Sequence, residues 1–141
     1  MKKIEYRKQK GFTLIELLVV LAILAMLAGL VGPKVMNALS SSKTKAARIQ
    51  IEDLGAALDM YRLDVGRYPN SSEGLDALVK SAGGKSWNGP YLKKNQVPKD
   101  PWGYDYQYSF PGNNGDYDLV SLGSDNATGG DSDRQDIVSR E

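Results

Sequence analysis

Two hydrophobic patterns divide this chain. From Phe12 to Gly32, 21 consecutive residues are apolar or small, except Thr13 and Glu16. At about 1.5 Å rise per residue, a helix of that length crosses a hydrocarbon core of roughly 30 Å. Beyond Pro33 the pattern becomes periodic. Ala47, Ile51, Leu54, Leu58, Tyr61 and Val65 recur alternately four and three apart, while Lys45, Arg48, Glu52, Asp59 and Arg62 fall off that stripe. The spacing predicts an amphipathic helix over 34–65 with its apolar face against the protein's own sheet. Gly66 marks the stop and Pro69 stands just beyond it.

Shorter signals follow. Ser72 to Val79 predicts a short helix. Asn88-Gly89-Pro90-Tyr91-Leu92 and Pro98-Lys99-Asp100-Pro101-Trp102-Gly103 predict an ordered loop. Trp87 and Trp102 are expected to cover a small core. Tyr104, Tyr106 and Tyr108 alternate with Asp105 and Gln107 at strand period, and Asn113-Asn114-Gly115 carries turn chemistry. Tyr117 to Leu122 reads as the returning strand. The expected fold is α+β, a long N-terminal helix packed on a small antiparallel sheet.

Composition sharpens this picture in two ways. The 109 residues after Gly32 bury only a small core, and with no cysteine the chain has no disulfide to fasten it. The net charge of +1 also hides an asymmetry: residues 1–10 carry +4, residues 34–114 carry +3 and residues 115–141 carry −5. The first block reads as a cytoplasmic flank, which places the rest of the chain across the membrane. Basic residues are scattered rather than clustered with aromatics, so no nucleic-acid footprint is expected. Gly83-Gly84-Lys85-Ser86 lacks the earlier glycine and the preceding strand of a phosphate-binding loop. The chain has no histidine, and neither its tyrosines nor its aspartates form a catalytic constellation, so no enzyme is expected.

The apolar run is not a cleavable secretory signal. It is too long, and Ala22, Ala25 and Ala28 stand three apart, so no Ala-x-Ala triplet is present. Ala25 with Gly29, and Ala28 with Gly32, form small-x-x-x-small pairs that allow close helix approach. Gly32 and Pro33 read as a helix break, because proline removes a helical hydrogen bond and crowds the preceding turn. Glu16 is a lone carboxylate in lipid. Such a group is costly and calls for a partner.

Lys10-Gly11-Phe12-Thr13-Leu14-Ile15-Glu16-Leu17 resembles the class III signal of the type IV pilin superfamily. The resemblance implies that residues 1–11 are a leader removed by prepilin peptidase between Gly11 and Phe12. It further implies that Phe12 becomes N-methylated, that 12–33 is the transmembrane assembly helix, and that 34–141 forms a pilin-like periplasmic domain. The resemblance also implies an assembly rule, whose physical reason can be read from these residues. The new Phe12 ammonium and the Glu16 carboxylate each cost several kcal/mol in lipid, and pairing Glu16 of one copy with the Phe12 amine of the next relieves both. The product implied by the resemblance is a homopolymer through N-terminal helices.

Gly66-Arg67-Tyr68-Pro69, Gly74-Leu75-x-Ala77-Leu78, Gly89-Pro90-Tyr91-Leu92, Pro98-x-Asp100-Pro101-Trp102-Gly103 and Ser121-Leu122-Gly123-x-Asp125 together resemble the major pseudopilins of the type II secretion system, the general secretion pathway protein G family. That resemblance implies a subunit anchored in the bacterial inner membrane that polymerises into a periplasmic pseudopilus. The fibre supports export of folded exoproteins. Minor pseudopilins and the inner-membrane assembly platform are the implied partners. The alternative is a type IV pilus subunit for adhesion or motility; many of those carry a C-terminal disulfide loop, and this chain has no cysteine. A third reading, a monomeric membrane-anchored calcium-binding domain, needs neither Glu16 nor the Gly11-Phe12 junction.

Between Leu122 and Ile137 lie Asp125, Asp131, Asp133 and Asp136, with Gly129-Gly130 among them. Oxygen ligands on a glycine-flexed loop suit calcium. The spacing is not that of an EF-hand: counted from Asp131 the glycine position is Asp136, and counted from Asp125 the third position is Ala127. A solvated acidic tail is the other reading. The resemblance implies Ca2+ held by the Leu122 backbone, Asp125 and Asp136, with Asp131 and Asp133 filling the gap. Four neighbouring carboxylates repel one another without a cation, so the loop is expected to loosen when calcium is removed.

Overall fold

A computed structural model describes residues 11–139. The leader expected over residues 1–11 therefore lies outside the described residues, Gly11 excepted. The described residues fall into two compact units, one ending at Ala38 and the other starting at Leu39. One helix, α1 (Leu14–Val65), contributes to both.

In the first unit α1 carries the apolar run. Every large apolar side chain from Phe12 to Leu39 is at least half exposed, and Phe12 reaches 94%. An apolar surface of that extent faces lipid or a partner rather than water. The expected break at Gly32 and Pro33 does not occur, and α1 continues through both. Proline lacks only its own N–H, and the flanking turns keep their ladder. The residue whose carbonyl the proline ring crowds is Gly29, which has no side chain to add to the strain.

In the second unit the predicted stripe is the core face of α1. Ala47, Ile51, Leu54, Leu58 and Tyr61 are buried, joined by Ala57, and Val65 is partly buried. Leu54 and Leu58 are almost fully enclosed; each contributes about 1.5–3 kcal/mol by leaving water. Gly66 ends α1 with φ +84°, its amide donating to the Arg62 carbonyl at 2.8 Å. That left-handed conformation suits glycine.

The short helix expected over 72–79 is a turn followed by a single 3-10 segment, Leu75–Leu78. Asn70 Oδ1 accepts the Ser72 and Glu73 amides, and Glu73 Oε2 accepts the Asn70 amide. Arg67 grips Glu73 with two bonds of 2.6 and 2.8 Å. The loop that follows caps this segment: Trp87 Nε1 donates to the Ala77 carbonyl and the Tyr91 amide to the Leu78 carbonyl, both at 2.8 Å. Trp87 and Trp102 pack against the core while staying half-buried.

The sheet is antiparallel, with strands β1 (Gln107–Ser109), β2 (Asp118–Ser121) and β3 (Ile137–Val138) in that order. Tyr108 faces Leu119 across β1 and β2, and Ser121 faces Ile137 across β2 and β3. The strand expected from Tyr104 starts later. Asp100 and Tyr104 are tied to each other, the Asp100 amide donating to the Tyr104 carbonyl and the Tyr104 amide to Asp100 Oδ1, both at 2.8 Å. This holds Tyr104 in the loop. Asn113 and Asn114 form the β1–β2 turn, with the Asp118 carboxylate accepting the Asn113 amide at 2.8 Å. Tyr106 is buried in the core and Tyr108 is partly buried against it. The Tyr106 hydroxyl donates to Gln50 Oε1 and Tyr108 to the Pro69 carbonyl. Burial pushes both phenols well above their ordinary pKa, and nearby Asp100 adds to the effect at Tyr106.

Candidate functional site

Two places carry the candidate chemistry. The first is the start of α1. Thr13 precedes the first helical residue, and Glu16 occupies the third helical position. The Thr13 amide donates to Glu16 Oε2 at 2.8 Å, and the Glu16 amide donates to Thr13 Oγ1 at 3.3 Å. This reciprocal pair is a capping box, which satisfies two amides left over at a helix start. The helix dipole adds a favourable field for the carboxylate. Glu16 therefore lies exposed at the head of the apolar run, one oxygen engaged by its own chain. Gly11 and Phe12 precede the helix in open, exposed backbone. Sequence reasoning named Glu16 but missed its local partner, although Thr-x-x-Glu before an apolar run is a recognisable signal.

The second place is the loop from Leu122 to Asp136. It opens with a 3-10 turn, Gly123–Asp125, contains a second, Ser132–Arg134, and closes on β3. Gly123 has φ +70°, and a Cβ there would come within 2.8 Å of the Asp133 carbonyl oxygen. The two arms of the loop touch at this glycine. Leu122 is buried, Asp133 and Asp136 are half-buried, and Asp125 and Asp131 are exposed. Among the described residues no three acidic side chains converge. The expected cluster of four carboxylates is not assembled among the described residues. Asp131 pairs with Arg134 at 3.1 Å, Asp125 Oδ1 accepts the Ala127 amide at 3.2 Å, and Asp136 Oδ2 accepts the Gly129 amide at 2.9 Å. The other oxygen of Asp136, Oδ1, is buried with no hydrogen-bond partner. A buried carboxylate oxygen left unpaired is costly, and a hard cation suits it. On this observation the loop fits calcium.

Neither β3 nor the buried Asp100–Ser121 pair was visible in sequence reasoning. The adjacent β-branched residues Ile137 and Val138 were the only signal of the strand. Nothing local distinguishes Asp100 from the other aspartates.

An apolar anchor with a capped carboxylate in its first turn, leading into a helix that carries a small antiparallel sheet, defines the pilin class of subunit. Residues 6–32 match the prokaryotic N-terminal methylation motif, and residues 34–140 match the family described as type II secretion system protein G. The chain belongs to the type II secretion system protein G family. It is 48% identical over 139 residues to type II secretion system core protein G of Pseudomonas aeruginosa, covering 95% of this chain and 96% of that protein. It is 44% identical over 141 residues to the Vibrio cholerae protein of the same name, covering 97% and 94% of the two chains. Its fold is similar to the crystal structure of the major pseudopilin from the type 2 secretion system of enterohaemorrhagic Escherichia coli, with TM-score 0.59 and 33% identity over 73% of this chain and 90% of that one. The apolar helix and the family together fit membrane anchoring.

Proposed function

We propose that this chain is the polymerising subunit of a type II secretion pseudopilus and supports export of folded exoproteins across the outer membrane. The exposed apolar surface of α1 with Glu16 in its first turn carries this reading: a membrane-length helix bearing one carboxylate is built to meet copies of itself. Prepilin peptidase cuts between Gly11 and Phe12 at the cytoplasmic face and methylates Phe12. The helix then holds the subunit in the bacterial inner membrane with the sheet-bearing unit in the periplasm. Glu16 exchanges its local cap for the Phe12 amine of a neighbouring copy. Breaking a buried pair of this kind costs about 3–5 kcal/mol. Minor pseudopilins and the inner-membrane platform start and drive the polymer. The names of the relatives favour a secretion fibre over a type IV pilus.

Calcium belongs to the same reading. The Leu122 carbonyl, Asp125 and Asp136 would hold it, with Asp131 and Asp133 as further oxygens. The unpartnered Asp136 Oδ1 supports this assignment. The ion neutralises the acidic loop and stabilises the folded state by binding it alone.

The test is Glu16→Ala in a secretion-competent host, scored for fibres and for secreted protein, with intact masses of wild-type subunits taken from sheared fibres. The expected outcome is membrane-inserted variant without fibres, and wild-type subunits that begin at methylated Phe12. Normal fibres from the variant, or fibre subunits that retain residues 1–11, overturn the reading.

A further inference from the structure

The base of the acidic loop rests on two buried polar side chains that the pseudopilus reading does not use. Asp100 is 4% exposed and Ser121 is fully buried. Ser121 Oγ donates to Asp100 Oδ2 at 2.7 Å. The other carboxylate oxygen, Oδ1, accepts the amides of Trp102 and Tyr104 at 3.0 and 2.8 Å. Ser121 Oγ in turn accepts the Gly123 amide at 3.4 Å. A buried carboxylate with this many donors is held firmly, and so is the hydroxyl it fixes.

The place of Ser121 in the fold makes the pair more than a core hydrogen bond. Ser121 is the last residue of β2 and stands opposite Ile137 of β3. Leu122 follows Ser121, and Asp136 precedes Ile137. The Ser121–Ile137 pair is therefore the neck of the loop, and one assigned ligand sits on each side of it. The hydroxyl of Ser121 reaches over Leu122 to the Gly123 amide, at the glycine where the two arms touch. Asp100 anchors this neck to the Pro98–Gly103 loop, a segment far away in sequence.

We propose that Asp100 and Ser121 are positioning residues for cation binding: the buried carboxylate fixes the Ser121 hydroxyl, and through it the neck that sets the Leu122 carbonyl and Asp136 side by side. The inference rests on the calcium reading of the loop. Neither residue is a ligand. Their contribution is to pre-pay the ordering of the neck, as supporting hydrogen bonds do at other metal sites.

The experiment uses the full chain in detergent, with calcium binding measured by titration calorimetry and thermal unfolding followed in calcium and in chelator. Ser121→Ala removes the donor to Asp100. Asp100→Asn keeps an oxygen for Trp102 and Tyr104 and weakens the link to Ser121. Leu58→Ala, in the core on α1, is the control for general destabilisation. Both neck variants are expected to bind calcium about 10- to 100-fold more weakly and to gain less Tm from calcium than wild type, while Leu58→Ala loses Tm with its affinity unchanged. If Ser121→Ala does not fold, Asp100→Asn carries the measurement. Wild-type affinity in the neck variants, with Tm lowered equally in both buffers, overturns the positioning role and leaves the calcium site standing. A wild-type chain that binds no calcium removes the site, and this role with it.

Discussion

Thr13 and Glu16 cap each other at the head of α1, Glu16 Oε2 taking the Thr13 amide at 2.8 Å and Thr13 Oγ1 taking the Glu16 amide at 3.3 Å. The local cap needs only an oxygen from this carboxylate, whereas the proposed intersubunit pair would need its charge. Glutamine separates them. Glu16→Gln keeps the oxygen that accepts from Thr13, so the variant is expected to insert and start its helix as wild type does, yet to form no fibres. Electron microscopy of sheared fibres beside a membrane-fractionation assay checks this. Fibres at wild-type abundance would mean that the cap, not the charge, is what assembly requires.

Calcium linkage is checked at Asp125, an exposed side chain that accepts the Ala127 amide at 3.2 Å. On the proposed calcium reading, Asp125→Ala should lower Tm in calcium buffer and leave it nearly unchanged in chelator, because an ion that bound only the folded state would stabilise that state. Equal losses in both buffers would count against Asp125 as a ligand.

Arg67 and Glu73 give a pH signature. Arg67's guanidinium, helped by the Asn70 amide, pulls the Glu73 carboxyl from an ordinary 4.5 to about 2. A carboxylate whose folded pKa is depressed stabilises fully above its unfolded pKa, and that stability is lost as pH falls from about 4.5 towards 2. Arg67 is half exposed, so solvent screening holds the contribution to about 1 kcal/mol. Glu73→Gln should therefore be less stable than wild type at pH 7, and the gap should close as pH drops through that window. Denaturant melts across pH measure it, and a gap independent of pH would remove the charge from the explanation.

Gly55 of α1 lies against the side chain of Tyr117, the residue before β2. A Cβ at this position would stand 3.0 Å from the Tyr117 hydroxyl. Gly55→Leu is therefore expected to destabilise the chain by about 1–3 kcal/mol through overpacking, despite the better helix propensity of leucine. Chemical denaturation reads the change, and a stabilised variant would show that Tyr117 moves aside freely.

How much was legible in the sequence differs from element to element. The stripe from Ala47 to Tyr61 was readable because α-helical periodicity is local, and each of its residues is buried as expected. The Gly66 stop was readable because a left-handed residue after a helix favours glycine. Strand β1 was placed too early because its tyrosine alternation begins at Tyr104, while hydrogen bonds to Asp100, a residue outside the pattern, tie Tyr104 into the loop. The break expected at Gly32 and Pro33 is absent because one missing amide does not outweigh the turns on either side.

What the chain's order of residues determined alone is therefore everything with a short physical range: an apolar run long enough for a bilayer, the Gly11-Phe12 junction, the Thr13–Glu16 cap spacing, the amphipathic stripe and the acidic loop composition. Tertiary structure alone decided that no three of those acids converge among the described residues, that Ile137 pairs with Ser121, and that Asp100 is the buried group beneath them. The reason is the same in each case: these contacts join residues distant in sequence, and hydrogen bonds and burial across such distances leave no periodicity for a linear reading to find.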